Sequence, residues 1–258
     1  MIQELKNPLP QLQELKKQPN HLFYIGNLDL LNRPRIGVVG GRKATKYAKE
    51  LIHTIVSRLN DNNNIIISGG AIGIDTIAHK AIGAQNTIMI AGTGLDKRYP
   101  AINKNMIQEI ESNGLVVSQF PVNTPSYPRN FAIRNEIIVA LSDILIVAYA
   151  DLNSGSMRSV EYALKMNKKI YVLPHRLGES EGTNKLLLDK KAEAIYDIDT
   201  FINRYSTKTN VSNTNDDFTL YCNTNPQYNE AIQKYGQKIF EAELLGEIEI
   251  KNGKVFVV

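Results

Sequence analysis

From Ile36 onward the chain repeats one unit: a short apolar run, a turn carrying glycine, then an amphipathic stretch. The runs are Ile36-Gly-Val-Val, Ile65-Ile-Ile, Thr87-Ile-Met-Ile-Ala, Leu115-Val-Val, Ile144-Leu-Ile-Val-Ala and Ile170-Tyr-Val-Leu. A strand with one wet face alternates apolar and polar residues. These runs do not, so each reads as a strand covered on both faces, as in a parallel sheet. Residues 44–60, 72–83, 102–113, 131–141 and 156–167 have helical spacing between them, with Leu51, Ile55 and Leu59 sharing one face of the first. Strand and helix alternating over short connections predict an α/β domain. It is an open, doubly wound, Rossmann-like sheet, mostly parallel, with right-handed crossovers.

This domain is expected over residues 36–205, with 1–35 as a lead-in packed against it. Residues 206–217, Ser-Thr-Lys-Thr-Asn-Val-Ser-Asn-Thr-Asn-Asp-Asp, have nothing to bury and read as a flexible linker. Residues 218–258 then offer a helical stretch within Asn229–Leu245. After it comes an Asn252-Gly253 turn between Glu247-Ile-Glu-Ile and Val255-Phe-Val-Val. Asn-Gly between alternating residues is a hairpin signal, so this piece reads as a short winged-helix-like appendage.

A hydrophobic content of 43% with 22% charged residues suits a globular chain and excludes wholesale disorder. No apolar run reaches the roughly 18 residues of a membrane span, and the N-terminus has no apolar signal region. A cytoplasmic protein without a membrane partner is expected. Cys222 is the only cysteine and His21, His53, His79 and His175 are scattered, so neither a disulfide nor a metal site is expected. The net charge of +4 is unevenly spread. Residues 33–49 hold Arg33, Arg35, Arg42, Lys43, Lys46 and Lys49 without an acid, whereas 206–258 have more acids than lysines. A basic run of this kind favours a polyanion, or is simply a solvated helix face.

Ligands of an open parallel sheet bind past the carboxyl ends of its strands, and the distinctive residues gather there. They are Gly40-Gly41-Arg42, Ser68-Gly69-Gly70-Ala71-Ile72-Gly73-Ile74-Asp75, Gly92-Thr93-Gly94-Leu95-Asp96 and Asn153-Ser154-Gly155-Ser156. Glycine lets an anion approach the main chain, and the helix that follows presents free N–H groups at its positive end. Any one such turn is ordinary; four on one rim, with Arg42 added, point to phosphate. Tyr127-Pro-Arg-Asn-Phe-Ala-Ile-Arg-Asn135 interleaves cations and aromatics, which suits single-stranded nucleic acid. The alternative, with Phe131 and Ile133 in the core and Arg129 solvated, stays open.

Enzyme chemistries fit less well. Ser68 replaces the first glycine of a dinucleotide fingerprint, and no acid stands about 20 residues on to hold a ribose. Neither a Walker P-loop nor a serine-hydrolase elbow is present. No cofactor is therefore expected. Asp75 and His79 share a helical face, but without a nucleophile or metal nearby they read as structural. Lys97 and Arg98 read as solvated loop cations, and Tyr99-Pro100 as a fixer of loop geometry.

Together these motifs resemble the DprA (Smf) family of DNA-processing proteins. The matching pieces are Val38–Arg42, Ser68–Asp75 with Ala78-His79, Gly92–Asp96 with Tyr99-Pro100 and Asn103, Phe131 with Arg134-Asn135, Ser154–Ser156 and Pro174. Even Tyr24–Pro34 resembles the family's lead-in, and the match runs in order over roughly residues 20–200. Gly41, Gln119, Ala132 and Glu136 depart from the family pattern, and Glu136 removes a positive charge. The resemblance implies a Rossmann-like, non-enzymatic homodimer that binds single-stranded DNA without sequence preference. It further implies that the protein protects incoming DNA and loads a RecA-type recombinase during natural transformation, with Arg42 as the DNA-binding arginine. DNA contacts are accordingly expected from Gly41, Arg42, Ser68, Gly69, Gly70, Gly73, Gly94, Arg129, Phe131, Arg134, Asn135, Ser154, Gly155 and Ser156. The alternative is a nucleotide-processing, phosphoribohydrolase-like enzyme. It lacks support because Ser159 stands where that motif needs a glutamate, and Glu161, two residues further on, should point away.

Overall fold

A computed structural model describes residues 1–6, 9–15, 17–60, 63–206, 217–244 and 248–257. It divides into two compact units, Met1–Thr207 and Lys208–Val258. The first unit has strands β1 (Gln3–Glu4), β2 (Phe23–Gly26), β3 (Arg35–Gly40), β4 (Ile65–Ser68), β5 (Thr87–Ile90), β6 (Leu115–Ser118), β7 (Ile144–Tyr149), β8 (Lys169–Val172) and β9 (Glu193–Ala194); the six apolar runs are β3 to β8, and β1, β2 and β9 add to them. The helices are α1 (Lys46–Asn60), α2 (Ile74–Ile82), α3 (Lys104–Asn113), α4 (Pro128–Leu141), α5 (Gly155–Lys165), α6 (Glu181–Leu188) and α7 (Ile198–Arg204).

The strands form one nine-stranded sheet in the order β1-β2-β6-β5-β4-β3-β7-β8-β9. From β6 to β9 all pairs are parallel; β2 runs antiparallel on β6, and β1 on β2. The lead-in thus extends the sheet as well as packing on it. Continuous apolar runs are explained by alternation between two cores. Ile66, Ile144 and Ile146 pack on one face with Ile52, Ile55 and Leu59 of α1 and Phe201 of α7. Ile65, Ile67, Leu145 and Val147 pack on the other with Ile137, Ile138 and Leu141 of α4 and Val160 of α5. Burying a Leu or Ile side chain contributes about 1.5–3 kcal/mol, and both faces collect it.

Helix α4 begins three residues earlier than the spacing alone predicts. Pro128 occupies its first turn, where a fixed φ suits a helix and the missing N–H costs nothing. Arg129 thereby enters the first turn, and Phe131, Arg134, Asn135 and Ile138 fall on one side of the helix.

The second unit comprises helices α8 (Asp217–Cys222), α9 (Tyr228–Tyr235) and α10 (Gln237–Leu244) and strands β10 (Ile248–Lys251) and β11 (Lys254–Val257). The single helical stretch expected within 229–245 is two helices, because Gly236 leaves the helix with φ of 53°. Asn252 and Gly253, both at positive φ, close the antiparallel hairpin. Phe218, Cys222, Ala231, Ile239, Ile248 and Val255 form its core. Asp217 opens α8, while 207–216 of the expected linker lie outside the described residues. No described helix is long and apolar enough to cross a membrane.

Candidate nucleic-acid interface

The sheet grows from β3 through β4 and β5 to β6 on one side; then β7 returns to the other side of β3. This is the topological switch point, where loops after adjacent strands diverge and leave a crevice. A cleft of about 970 Å³ opens there. Its walls are Gly40–Lys43 at the end of β3, Gly69, Ala71, Ile72 and Asp75 after β4, Tyr149, Asp151, Asn153–Ser156, Arg158 and Ser159 from the end of β7 into α5, and the exposed start of α4, with Tyr99 and Pro100 from the loop after β5.

Ten of the expected contact residues meet in this cleft: Gly41, Arg42, Gly69, Arg129, Phe131, Arg134, Asn135, Ser154, Gly155 and Ser156. Arg42, Lys43, Arg129 and Arg158 are exposed there and have no carboxylate partner among the described residues. Asp75 and Asp151 are the acids of the lining. At the head of α5 the hydroxyls of Ser154 and Ser159 are buried without a hydrogen-bond partner among the described residues. The same helix start carries its unsatisfied N–H groups, so donors gather at the cleft wall.

The aromatics sit beside these donors. Tyr99 and Phe131 lie with ring centroids 5.4 Å apart at 37°. Arg129 stands over Tyr127 at 5.7 Å, and Arg134 lies 5.7 Å from the Phe131 ring. Tyr149 and Arg158 escaped the sequence reading, and Lys43 entered it only as part of the basic run. For Arg158 the signal was present, three residues past Gly155 on the helix that opens at the rim. Tyr99, expected as a fixer of loop geometry, is 42% exposed and lines the cleft.

Arg134 lines the floor with its guanidinium turned to the protein. Its Nη1 donates to the carbonyls of Gly69 (2.5 Å) and Ile90, and its Nε to Asn135 Oδ1 at 3.2 Å. Asp75 accepts the N–H groups of Gly69 (3.2 Å) and Ala71 (3.3 Å). Burial raises the Asp75 carboxyl above its usual range, opposed by the neighbouring Arg134 charge. Burial likewise lowers Arg134 to about 10, against the pull of Asp75. The sequence suggested a phosphate contact here; the geometry makes Arg134 the brace joining the ends of β4 and β5.

Ser68, Gly70, Gly73 and Gly94 do not line the cleft, which corrects the sequence reading. The fully buried Ser68 Oγ donates to the Val38 carbonyl at 2.6 Å, tying β4 to β3. Gly70 offers its carbonyl to Asn103 Nδ2 at 3.0 Å. Gly94 donates to the Thr124 carbonyl at 3.0 Å, after a strand two removed from β3. Gly73 sits at φ 97°, where a Cβ would come within 2.8 Å of the Gly41 and Arg42 carbonyls. Close approach is to the protein itself, at Gly73 to backbone and at Gly70 to the Met89 side chain. We predict that Gly73→Ala costs about 2 kcal/mol, through positive φ and collision. A fall of roughly 4–8 °C in melting temperature would register it.

The remaining candidates resolve simply. Lys97 pairs with Asp96 at 3.4 Å and Arg98 with Glu111 at 2.6 Å, both outside the cleft. Of the basic run, Arg35 pairs with Asp143 at 3.0 Å and Arg33 donates to the Asn63 carbonyl at 3.2 Å, so both serve the fold. His79 is buried with both ring nitrogens unpartnered among the described residues, and burial with the nearby Arg134 charge lowers it to about 3. Glu161 is exposed and absent from the cleft lining. No cluster of three metal-ligating side chains occurs among the described residues.

Comparison with known proteins agrees with this picture. The family model for DNA recombination-mediator protein A matches residues 3–206. DNA processing protein DprA of Streptococcus pneumoniae is 38% identical over 181 residues, which are 68% of this chain and 64% of that protein. Protein Smf of a Synechocystis strain is 34% identical over 191 residues, 71% of this chain and 48% of that one. This chain thus spans only about half to two thirds of their length. The structure of DNA processing protein A from Helicobacter pylori, described for its single-stranded DNA binding mode, superposes with a TM-score of 0.77 at 39% identity. That match covers 79% of this chain and 94% of that one. Switch-point cleft, glycine turns and residues 3–206 together make this chain a member of the DNA recombination-mediator protein A (DprA/Smf) family.

Proposed function

We propose that this protein binds single-stranded DNA, without sequence preference, in the switch-point cleft. Phosphates meet Arg42, Lys43, Arg129 and Arg158 and the N–H groups heading α5, while bases stack on the Tyr99–Phe131 pair. The observation that carries this reading is four exposed cations, without a carboxylate partner among the described residues, beside an aromatic pair in one cleft. Phosphate contact supplies affinity without reading sequence, which suits a protein that must accept any incoming strand. We further assign it the protection of that strand and its delivery to a RecA-type recombinase during natural transformation, as a homodimer in the cytoplasm. The likeness to DNA-processing relatives supports that assignment. The role is one of binding and not catalysis.

Fluorescence anisotropy with labelled single-stranded DNA over a salt series tests it. Each phosphate neutralised contributes about −0.7 to the slope of log affinity against log salt. Arg42→Ala is expected to weaken homopolymer and mixed sequences alike, about tenfold, and to flatten the slope by about 0.7. Wild-type affinity in the Arg42→Ala protein would remove the central contact of this assignment. Competition by duplex and by RNA at fixed salt then reads the preference for a single strand.

A further inference from the structure

The turn that carries Arg42 has a second set of neighbours, at the end of β7. Tyr149, at the end of β7, forms part of the cleft wall and packs against the turn that carries Arg42. Gly41 donates its N–H to the Tyr149 carbonyl at 2.9 Å, and a Cβ on Gly41 would come within 2.9 Å of the Tyr149 ring. His175 meets Tyr149 edge to face at 5.5 Å and, beyond it, Tyr47 at 5.7 Å. The imidazole is held in place by Nε2, 2.9 Å from the Ala148 carbonyl. Tyr47 lies in the first turn of α1, off the stripe of Ala48, Ile52, Ile55, Val56 and Leu59 that α1 buries, and is 45% exposed. It is an aromatic ring outside the core, braced by a fixed neighbour, within the segment that carries Arg42, Lys43 and Lys46.

We propose that Tyr47, Tyr149 and His175 form a second lip over which single-stranded DNA leaves the cleft, with a base stacked on Tyr47. The proposal rests on the DNA-binding reading above. The cations set the direction of the strand. Arg42, Lys43 and Lys46 stand exposed along the α1 side, Lys46 sharing Glu50 at 3.5 Å. Burial, with the nearby Asp151 and Glu179 charges, raises the Tyr149 phenol above its ordinary value, so the ring meets the strand as a neutral aromatic. The backbone is therefore drawn along the α1 lysines, and the bases turn toward the tyrosines. A cationic track with an aromatic face beside it suits single strands of any sequence, because every base has a face to stack.

Oligodeoxythymidylates of increasing length separate the lip from the cleft. Wild-type affinity rises with length as the strand reaches Tyr47. Tyr47→Ala binds the shortest oligomers as wild type does but loses about tenfold on long ones. Its salt slope stays unchanged, because no charge is removed. Tyr47→Phe, which keeps the ring, binds as wild type. A long oligomer bearing 5-iododeoxyuridine cross-links to Tyr47 on irradiation. Wild-type affinity of Tyr47→Ala for long oligomers, while Arg42→Ala still loses binding, overturns the second lip alone. If the wild-type protein binds no oligomer, the DNA-binding reading falls and takes this inference with it.

Discussion

Methionine in place of Arg134 is expected to destabilise the first unit by about 2–6 kcal/mol, because two buried carbonyls each lose a donor at about 1–3 kcal/mol apiece. The guanidinium is 4% exposed and bonds to the carbonyls of Gly69 and Ile90 at the ends of β4 and β5. Removing it leaves both carbonyls without this donor, and Asp75 buried without its opposing charge. Lysine does not rescue the site, since one ammonium cannot both serve the two carbonyls, as Nη1 does, and reach Asn135, as Nε does. The urea midpoint reports the loss, provided the slope of the transition is unchanged. Asp75→Asn, alone and combined with Arg134→Met, separates the pair's interaction from the individual losses. A midpoint unchanged in Arg134→Met would show that the brace contributes nothing to stability.

Acid is expected to unfold this protein partly through one imidazole. An unfolded chain protonates His79 near its ordinary 6.5, whereas the folded protein does so only at about 3. Between those values the unfolded state binds more protons, so stability falls as pH is lowered. The contribution is fully present above pH 6.5 and is lost at about 1.4 kcal/mol per pH unit down to about 3. Asp75, with its raised carboxyl, acts in the opposite sense, because the folded form holds that proton more tightly. Comparing the wild type with His79→Leu isolates the imidazole, since Asp75 is common to both. The variant is expected to show a flatter decline of stability between pH 6.5 and 4 by urea denaturation. Parallel pH profiles would exclude His79 as the acid-labile group.

Both predictions concern residues whose roles came from the fold. Asp75 was legible in part, since a carboxylate in the first turn of a helix suits the dipole. That Arg134, far along the chain, reaches the same loop was not, because nothing local marks which carbonyls a guanidinium will meet. Tyr99 as a cleft residue was passed over for a similar reason. In sequence it is the partner of a proline, and only the packing of its loop against α4 sets it beside Phe131.

The elements themselves were dictated locally. Continuous apolar runs, glycine turns and spacing of four specify buried strands and amphipathic helices, and so the doubly wound class. Asn252-Gly253 likewise specified its hairpin through the positive φ that both residues tolerate. Strand order was decided only by the tertiary structure. It placed β7 against β3 and β5 two strands away. That order drew Arg158, Tyr149 and Lys43 into the cleft and left the Gly94 turn outside it. The physical reason is that periodicity records which face of an element is buried but not what buries it. A cleft at the meeting of β3 and β7 exists only once two cores, distant in sequence, have chosen their neighbours.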